Sequence, residues 1–416
     1  MNVEDMLRRL ASPDGEEHVI IEFVAMAPET AVDLLLPYLG HLDSTLRAMA
    51  AKALGCLGRG TGNTLPQQDR VLACLEEMAE TNDAFVVLHA AEAMLDLGGQ
   101  RDLLASRLAW LLSAADVETR FDALERLKHM KEDAQAALPV LLKTIVPAEQ
   151  LERTDAVERE VCWKSAVVVG EIGQASGDAA ILQTWLASRD PMLRAVGACV
   201  LAKVSPDDAE MILPVLIEAL SGDEEQRCYG ALGCERLGPR AVSAIPLLSR
   251  IIQDGMEEAG RCSRSTAIRA LGKIGSPTCV PVLMKVVRES ESRTEDEFWT
   301  DCANACAILA EIGPAAMAAI HVLRRWVRRP IYDQMRLHAA VALWSINGNA
   351  EEALATARAW IGDEDRWIRC WAADLLGHLE PAARPMEADL QGLLNDEEEH
   401  VRRQAAKALA KIVPAE

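Results

Sequence analysis

The sequence predicts an all-α protein: a right-handed α-solenoid (superhelix) of about eleven helix pairs with an N-terminal helical cap. Two observations carry the prediction. An apolar residue and an Arg, followed by a small residue and a Leu, recur along the chain, and no segment shows the alternating pattern of a strand. Aligned on the Arg position, the pattern recurs every 32 to 42 residues, a period typical of solenoids. These register positions are Arg47, Val87, Arg120, Cys162, Arg194, Arg227, Arg264, Cys302, Arg336, Arg369 and Arg402.

Residues at fixed distances after each register position share one character. The residue three positions on is always small: Ala50, Ala90, Ala123, Ser165, Gly197, Gly230, Ala267, Ala305, Ala339, Ala372 and Ala405. The residues seven and ten positions on are always apolar. Offsets of 3, 7 and 10 lie on one face of an α-helix. The pattern therefore predicts that each repeat has a second helix with one buried face.

A second amphipathic stretch of about three turns precedes each of these helices. Proline opens several of the stretches, at Pro139, Pro214, Pro246 and Pro281, and proline is well tolerated in a first helical turn. Asp43, Asp190 and Asp223 stand where their carboxylates would cap the second helix. Each repeat is therefore predicted to be a helix, a short turn and a helix.

The two ends of the array are predicted to differ from its middle. Residues 1–27 are expected to form an N-terminal helical cap or degenerate repeat, with helices at 3–10 and 16–26. Residues 28–416 are expected to form a single continuous array. Lys407 and Lys411 in the last helix suit the negative end of its dipole.

The repeated residues resemble the HEAT repeat family, whose second helix typically reads Asp-x-x-Val-Arg-x-x-Ala-x-x-Ala-Leu-Gly-x-Ile-Gly. The resemblance covers nearly the whole chain and is plainest at 43–58, 223–238 and 400–412. It is loosest around Val87, Cys162 and Cys302, where the Arg is absent. It implies an armadillo-like helical scaffold, because this family supplies scaffolds for many unrelated roles.

Charge and composition restrict the classes of partner and compartment. A formal net charge of -21 repels phosphate backbones and favours a basic protein partner, so nucleic acid is not expected. The first residues are acidic, and the apolar run 19–26 is short and interrupted by Glu22, so we expect a cytoplasmic protein without a membrane segment. Eleven cysteines without a Cys-x-x-Cys pair fit a reducing compartment and packed helix faces, and neither metal nor cofactor is expected.

The inner face of the array is expected at offsets 2, 5 and 9 of the second helices. In repeats one to three these offsets carry Met49, Lys52, His89, Glu92, Asp122 and Glu125, which predict an ordinary solvated face. Apolar residues follow in repeats four to six and predict a partner-binding surface: Trp163, Val167, Val196, Cys199, Tyr229 and Leu232. The alternative is that the register slips in repeat four or that tight curvature covers these side chains.

A second candidate surface lies near the C-terminal end, where tryptophan and arginine are concentrated. The predicted residues are Arg324, Arg325, Arg328, Arg329, Trp367 and Trp371. The alternative places Trp326 in the core and gives the arginines to the helix C-terminus. Acidic clusters in the turns, such as 223–225 and 396–399, fit either helix capping or a ridge for a basic partner.

Catalytic motifs are missing from the sequence: no Gly-x-Gly-x-x-Gly, Gly-x-x-x-x-Gly-Lys-Ser/Thr, His-Glu-x-x-His or Gly-x-Ser-x-Gly occurs. The His-Glu pairs that ligate iron in the HEAT-like deoxyhypusine hydroxylases are also absent. We therefore expect a non-catalytic protein-interaction scaffold, and self-association is possible. The alternatives are an inhibitor or immunity protein for a basic toxin or enzyme, and a HEAT-like lyase that handles a bilin-type ligand.

Overall fold

The computed structural model describes residues 3–12, 16–114, 116–151, 153–172, 179–254, 260–290, 296–328 and 333–412. Every regular element in these ranges is an α-helix or a 3-10 helix, which confirms the all-α prediction. The chain divides into two compact units, Met1–Ser205 and Pro206–Glu416, and each is described by itself. The prediction of one continuous array over 28–416 stays a prediction.

The N-terminal unit contains two leading helices and five helix pairs. The leading helices are α1 (Val3–Leu10) and α2 (Glu16–Val24). The pairs are α3 (Pro28–Leu35) with α4 (Ser44–Gly60), α5 (Gln68–Ala79) with α6 (Ala84–Leu97), α7 (Arg101–Trp110) with α8 (Val117–Met130), α9 (Leu138–Thr144) with α11 (Ala156–Ile172), and α12 (Ala179–Trp185) with α13 (Pro191–Val204). The short helix α10 (Ala148–Leu151) lies between α9 and α11.

The C-terminal unit contains six helix pairs. They are α14 (Ala209–Ala219) with α15 (Glu224–Leu237), α16 (Ile245–Asp254) with α17 (Arg261–Ile274), α18 (Val280–Glu289) with α19 (Asp296–Ile312), α20 (Ile320–Val327) with α21 (Asp333–Asn347), α22 (Glu351–Trp360) with α23 (Arg366–Leu379), and α24 (Glu387–Leu393) with α25 (Glu399–Ile412). In both units the second helices of successive repeats pack on one another, as α4 does on α6 and α15 on α17.

The buried face of the second helices lies where the repeat pattern predicts it. All eleven residues at offset 3 are buried, and at offset 7 only Leu409 is half-buried. Small residues are needed because the helices approach closely. A Cβ on Gly230 would lie 3.0 Å from the backbone nitrogen of Leu220 and 3.1 Å from the carbonyl oxygen of Leu216. The offset-3 position is therefore the contact point between the two helices of a pair.

In repeats that carry both a capping Asp and the register Arg, two side chains hold the turn between the helices. The predicted caps are confirmed: Asp43 accepts from the Thr45 amide at 2.9 Å, and Asp190 and Asp223 cap their helices in the same way. The register Arg holds the other side of the turn. Nη1 of Arg194 donates to the carbonyl oxygens of Ser188 at 2.8 Å and Arg189 at 3.2 Å. Arg47, Arg369 and Arg402 make equivalent pairs of bonds to carbonyls five and six residues back, which explains why an Arg recurs here.

The starts of the first helices confirm three of the four proline assignments. Pro139, Pro246 and Pro281 each occupy the second residue of their helix. The expectation for Pro214 is wrong, because α14 already begins at Ala209 after a 3-10 turn at Pro206–Asp208 and so contains the proline in its interior.

One described segment, Trp299–Val327, is long and apolar enough to cross a membrane by length and composition alone. It is not one straight helix, because α19 ends at Ile312 and Gly313 adopts φ +63° before α20 begins at Ile320. Trp326 is fully buried, and its indole nitrogen donates to the carbonyl oxygen of Val287 at 2.9 Å. The segment thus supplies the apolar helices of two successive pairs.

Candidate functional site

A groove of about 760 Å³ crosses three successive second helices of the N-terminal unit. We call it the N-terminal groove. Its charged lining comes from α4, α6 and α8, with contributions from the start of α7 and the turn after α8. The charged and histidine side chains of the lining are Lys52, Arg59, His89, Glu92, Asp96, Arg101, Asp122, Arg126, His129 and Asp133.

The floor of the groove is formed by small residues, which include Gly55, Cys56 and Ala93. Gly55 lets α4 approach α6 closely, since a Cβ there would lie 3.0 Å from the Cα atom of Ala93 and 3.0 Å from Oδ2 of Asp96. With short side chains on the floor and long charged side chains along the rim, a hollow remains between the helices.

Ion pairs connect neighbouring helices across this groove. Arg126 on α8 donates to Oε1 of Glu92 on α6, from Nε at 3.0 Å and from Nη2 at 2.5 Å. The other oxygen of Glu92 lies 3.1 Å from Nδ1 of His89. Arg59 on α4 forms an ion pair with Asp96 on α6. The lining is therefore charge-balanced, with each helix tied to the next.

The electrostatics differ at the two half-buried carboxylates, Glu92 and Asp96. Burial acts to raise the pKa of Glu92, but the hydrogen bond from His89 and the charge of Arg126 outweigh it and lower that pKa to about 2. At Asp96 burial dominates and raises the pKa above its usual value, against the opposing charge of Arg59. Glu92 is thus firmly ionised, and it is the anchor of the network.

The sequence pattern classed Lys52, His89, Glu92 and Asp122 of this groove as part of an ordinary solvated face. That expectation is wrong for His89 and Glu92, whereas Asp122 is exposed and Lys52 is half-buried. His89 is buried, and Glu92 is only partly exposed. Met49, assigned to the same face, is buried too. The available signal was a combination: charged residues at offset 5 of the first two repeats, Lys52 and Glu92, with small residues such as Gly55 and Ala93 close to them in the sequence. Charge alone did not distinguish a groove from a solvated helix face.

The predicted apolar surface in repeats four and five is not exposed. Val167, Val196 and Cys199 are 7%, 0% and 1% exposed. The expectation that these three side chains lie on an exposed binding surface is therefore wrong. The cause is close packing of α11 on α13: a Cβ on Gly170 would meet Cγ1 of Val200 at 3.1 Å. Trp163 is half-buried. In the C-terminal unit, Tyr229 and Leu232 are also half-buried.

The second predicted surface is partly occupied by internal contacts. Nε of Arg324 lies 3.0 Å from both carboxylate oxygens of Glu352 on α22. Arg325 and Arg328 are exposed, Trp371 is half-buried, and Arg329 lies outside the described residues. Trp367 is 50% exposed and packs on His400 with ring centroids 4.7 Å apart. Trp326 belongs to the core, as the alternative interpretation held.

Many carboxylates of the acidic turns have structural partners. Asp396 receives two hydrogen bonds from Arg369, at 2.7 and 2.9 Å, and Glu398 pairs with Arg366 at 3.2 Å. Glu224 accepts from the amide and hydroxyl of Ser263. Two further acidic turn clusters of the sequence, 257–258 and 295–297, lie outside the described residues wholly (257–258) or in part (residue 295). The described turns therefore serve capping and repeat-to-repeat bonding, and a binding role for them stays a prediction.

No group of three or more His, Cys, Asp or Glu side chains in the described ranges is arranged to hold a metal ion. In the N-terminal groove, His89 and Glu92 form a hydrogen-bonded pair.

Comparison with known proteins agrees with the repeat pattern. The family described as HEAT repeats matches residues 3–96, and the HEAT repeat matches residues 389–415. The intervening described residues continue the same helix pairs. The chain therefore contains HEAT repeats in these two stretches. No curated protein matches the sequence.

Solved structures share the fold at low sequence identity. Importin β matches with a TM-score of 0.59 at 12% identity, over 98% of this chain and 66% of that one. The Kap95:Nup1 complex matches with a TM-score of 0.58 at 13% identity, over 92% and 56%. Kap121p bound to the extreme C-terminus of the phosphatase Cdc14p gives 0.52 at 12%, over 97% and 52%. This chain thus spans about half to two thirds of their length, and the likeness confirms the α-solenoid fold.

Proposed function

We propose that this protein is a non-catalytic interaction scaffold that binds a segment of a partner protein in the N-terminal groove. The observation that carries the proposal is the groove itself: about 760 Å³ of space, lined by charged side chains from three successive second helices. A cleft of this size accepts several side chains of a bound segment.

The ion-pair network makes this groove a suitable docking surface. Because Glu92 is held by both His89 and Arg126, its side chain is fixed before a partner arrives, which reduces the entropy lost on binding. Asp122 and His129 are exposed on the groove wall and can exchange water for a partner's polar groups. Fixed charges at the centre and exposed charges at the wall favour selective binding of a polar segment.

The similar solved structures supply support of a general kind. Two of them are complexes with other proteins, Kap95 with Nup1 and Kap121p with the C-terminus of Cdc14p. The solenoid fold is thus suited to holding protein segments. We extend this use to the present chain, with its own groove as the site.

We further propose that the partner is basic and that the complex forms in the cytoplasm. The groove is charge-balanced, so the attraction comes from the whole chain, whose formal net charge of -21 attracts cationic proteins and repels nucleic acid. The acidic turns would contribute to this long-range attraction through exposed carboxylates such as Glu397, which is 83% exposed.

Site-specific photo-crosslinking tests the proposal. A benzoylphenylalanine placed at Asp122, in the groove, should capture a defined protein on irradiation. The same probe at Asp69, exposed on α5 and outside the groove lining, is the matched control and should not capture it. Equal capture at both positions, or capture at Asp69 alone, would refute the groove as the binding site.

A further inference from the structure

Two cysteines of neighbouring repeats meet in the C-terminal unit. Cys228 lies in the second turn of α15, and Cys262 lies at the start of α17, the helix that packs on α15. The two thiols are near enough for Cys262 to contribute to the raised pKa of Cys228. Cys262 is exposed and Cys228 is half-buried, so solvent reaches one member of the pair directly.

The pair is held in place by a carboxylate. Oε1 of Glu224 accepts from the backbone amide of Ser263 at 2.9 Å and lies 4.0 Å from Sγ of Cys228. Its other oxygen accepts from the Ser263 hydroxyl at 2.8 Å and pairs with Arg227 at 3.1 Å. Glu224 therefore contacts both Cys228 and the residue next to Cys262, and it fixes the start of α17 against α15.

We propose that Cys228 and Cys262 form a reversible disulfide, which makes this pair an oxidative modification site that links repeats six and seven. The oxidant is a peroxide. Cys262, as its thiolate, attacks one peroxide oxygen, which gives a sulfenic acid and releases the first water once a proton is taken up. The sulfur of Cys228 then attacks the sulfenic sulfur, the S–S bond forms, and the second water leaves. The two thiols lose two electrons and two protons, and one hydrogen peroxide becomes two waters.

The environments of the two thiols assign their order of reaction. Burial, the neighbouring thiol of Cys262 and the negative charge of Glu224 raise the pKa of Cys228 above its usual value, despite the opposing charge of Arg227. A thiol that holds its proton is a poor first nucleophile. The exposed Cys262 therefore meets the oxidant, and Cys228 resolves the sulfenic acid that forms beside it.

A second cysteine pair in the same unit provides an internal control. Cys302 and Cys306 lie one turn apart on α19, and Cys302 likewise contributes to a raised pKa of Cys306. Both are buried at 1% exposure, so proximity is matched while access to a peroxide is not. Oxidation of the first pair and not the second is the pattern that the structure predicts.

Peptide mass spectrometry of the full-length protein tests the proposal. The reduced chain is exposed to hydrogen peroxide, remaining thiols are blocked with N-ethylmaleimide, and the digest is searched for a peptide pair joined through Cys228 and Cys262. We expect that crosslink to be the main product, to disappear after dithiothreitol, and to leave Cys302 and Cys306 alkylated only after denaturation.

Single substitutions separate the roles of the two thiols. In Cys228→Ser, Cys262 should accumulate as sulfenic or sulfinic acid, whereas in Cys262→Ser the thiol of Cys228 should stay reduced at the same peroxide dose. The proposal is overturned if the wild-type chain carries Cys262 as sulfinic acid with Cys228 still a thiol, or if Cys262 forms disulfides only between molecules.

Discussion

The register Arg shows how one residue can account for a repeat pattern. In four repeats its guanidinium donates to two carbonyl oxygens of the turn that precedes the second helix. These carbonyls follow the end of the first helix and have no partner within it. Arg369 does more, because it also holds both carboxylate oxygens of Asp396 in the next repeat. The same residue thus closes its own turn and joins two repeats.

Replacing Arg369 should therefore cost more than replacing Arg402. Arg369→Ala removes both guanidinium hydrogen bonds from the carboxylate of Asp396, which is only 7% exposed and would keep only the bond from the Glu398 amide. The substitution should lower the free energy of unfolding by about 3 kcal/mol. Arg402 bonds only carbonyl oxygens in the described structure, at 2.6 and 2.9 Å, so Arg402→Ala should cost about 1 kcal/mol. Urea unfolding measures both, and equal losses would contradict the assignment of a joining role to Arg369.

Two residues adopt a backbone conformation that suits glycine. Lys131 has φ +51° and ψ -124°, and Glu380 has φ +49° and ψ -128°. Gly238 occupies the same turn position with φ +55° and ψ -129°. Lys131→Gly and Glu380→Gly should each raise the free energy of unfolding by about 1 kcal/mol because they relieve the strain on Cβ. The reverse change, Gly238→Ala, should destabilise, and a stabilising Gly238→Ala would show that the turn is not strained.

Glu92 gives the N-terminal unit a defined pH dependence. Its folded pKa of about 2 lies below the ordinary value of 4.5, so its ionised form contributes stability that is present above about pH 5 and is lost as the pH falls towards 2. The pKa difference corresponds to about 3 kcal/mol. Wild type should lose about that much more stability than Glu92→Gln over this interval. Thermal melts between about pH 5 and about pH 2 measure this difference. If the melting temperatures of the two proteins fell in parallel, the stabilising role of ionised Glu92 would be contradicted.

At the scale of the helix, small residues determine how closely repeats approach. Gly230→Leu should lower the free energy of unfolding by about 1 to 3 kcal/mol or more, because backbone atoms of α14 lie 3.0 to 3.1 Å from the new Cβ and have no room to move. A Cβ on Gly392 of α24 would meet no atom within 4 Å. Gly392→Ala should instead be neutral or stabilise by a few tenths of a kcal/mol. If the Gly230→Leu protein melted at the same temperature as the parent, the assignment of Gly230 to the helix contact would be refuted.

The sequence predicted the helix pairs well because periodic burial leaves a periodic pattern. The offset-3 position illustrates this: a single requirement, close helix contact, recurs in each repeat from Ala50 to Ala405. The binding surface was not predictable in the same way. Val196 is fully buried while Leu232, which is also apolar and on the same helix face, is half-buried, because the distance between adjacent helices depends on residues such as Gly170 in the neighbouring repeat.

At the scale of the whole molecule, the α-solenoid fold provides the groove, and the net charge bears on the proposal that the partner is basic. A HEAT-repeat solenoid presents successive second helices side by side, so a groove such as the N-terminal one arises wherever small floor residues meet long charged side chains. The formal net charge of -21 then acts at longer range on any approaching partner. Added salt should therefore slow the association of the partner. Contacts inside the groove should instead set the rate at which the partner dissociates.

The most direct test of groove binding compares the Kd of two matched double variants with that of the wild type. The ligand is the partner protein that photo-crosslinking at Asp122 identifies. Lys52→Glu with Asp122→Lys exchanges charges inside the N-terminal groove, and Arg70→Glu with Asp69→Lys makes the same kind of exchange on α5, outside the groove lining. Both variants keep the net charge, and a thermal melt confirms that each is folded. We expect the groove exchange to weaken binding at least about tenfold, roughly 1.4 kcal/mol, while the α5 exchange leaves Kd unchanged. Unchanged binding by the groove variant, with the wild-type melt retained, would contradict binding in the groove.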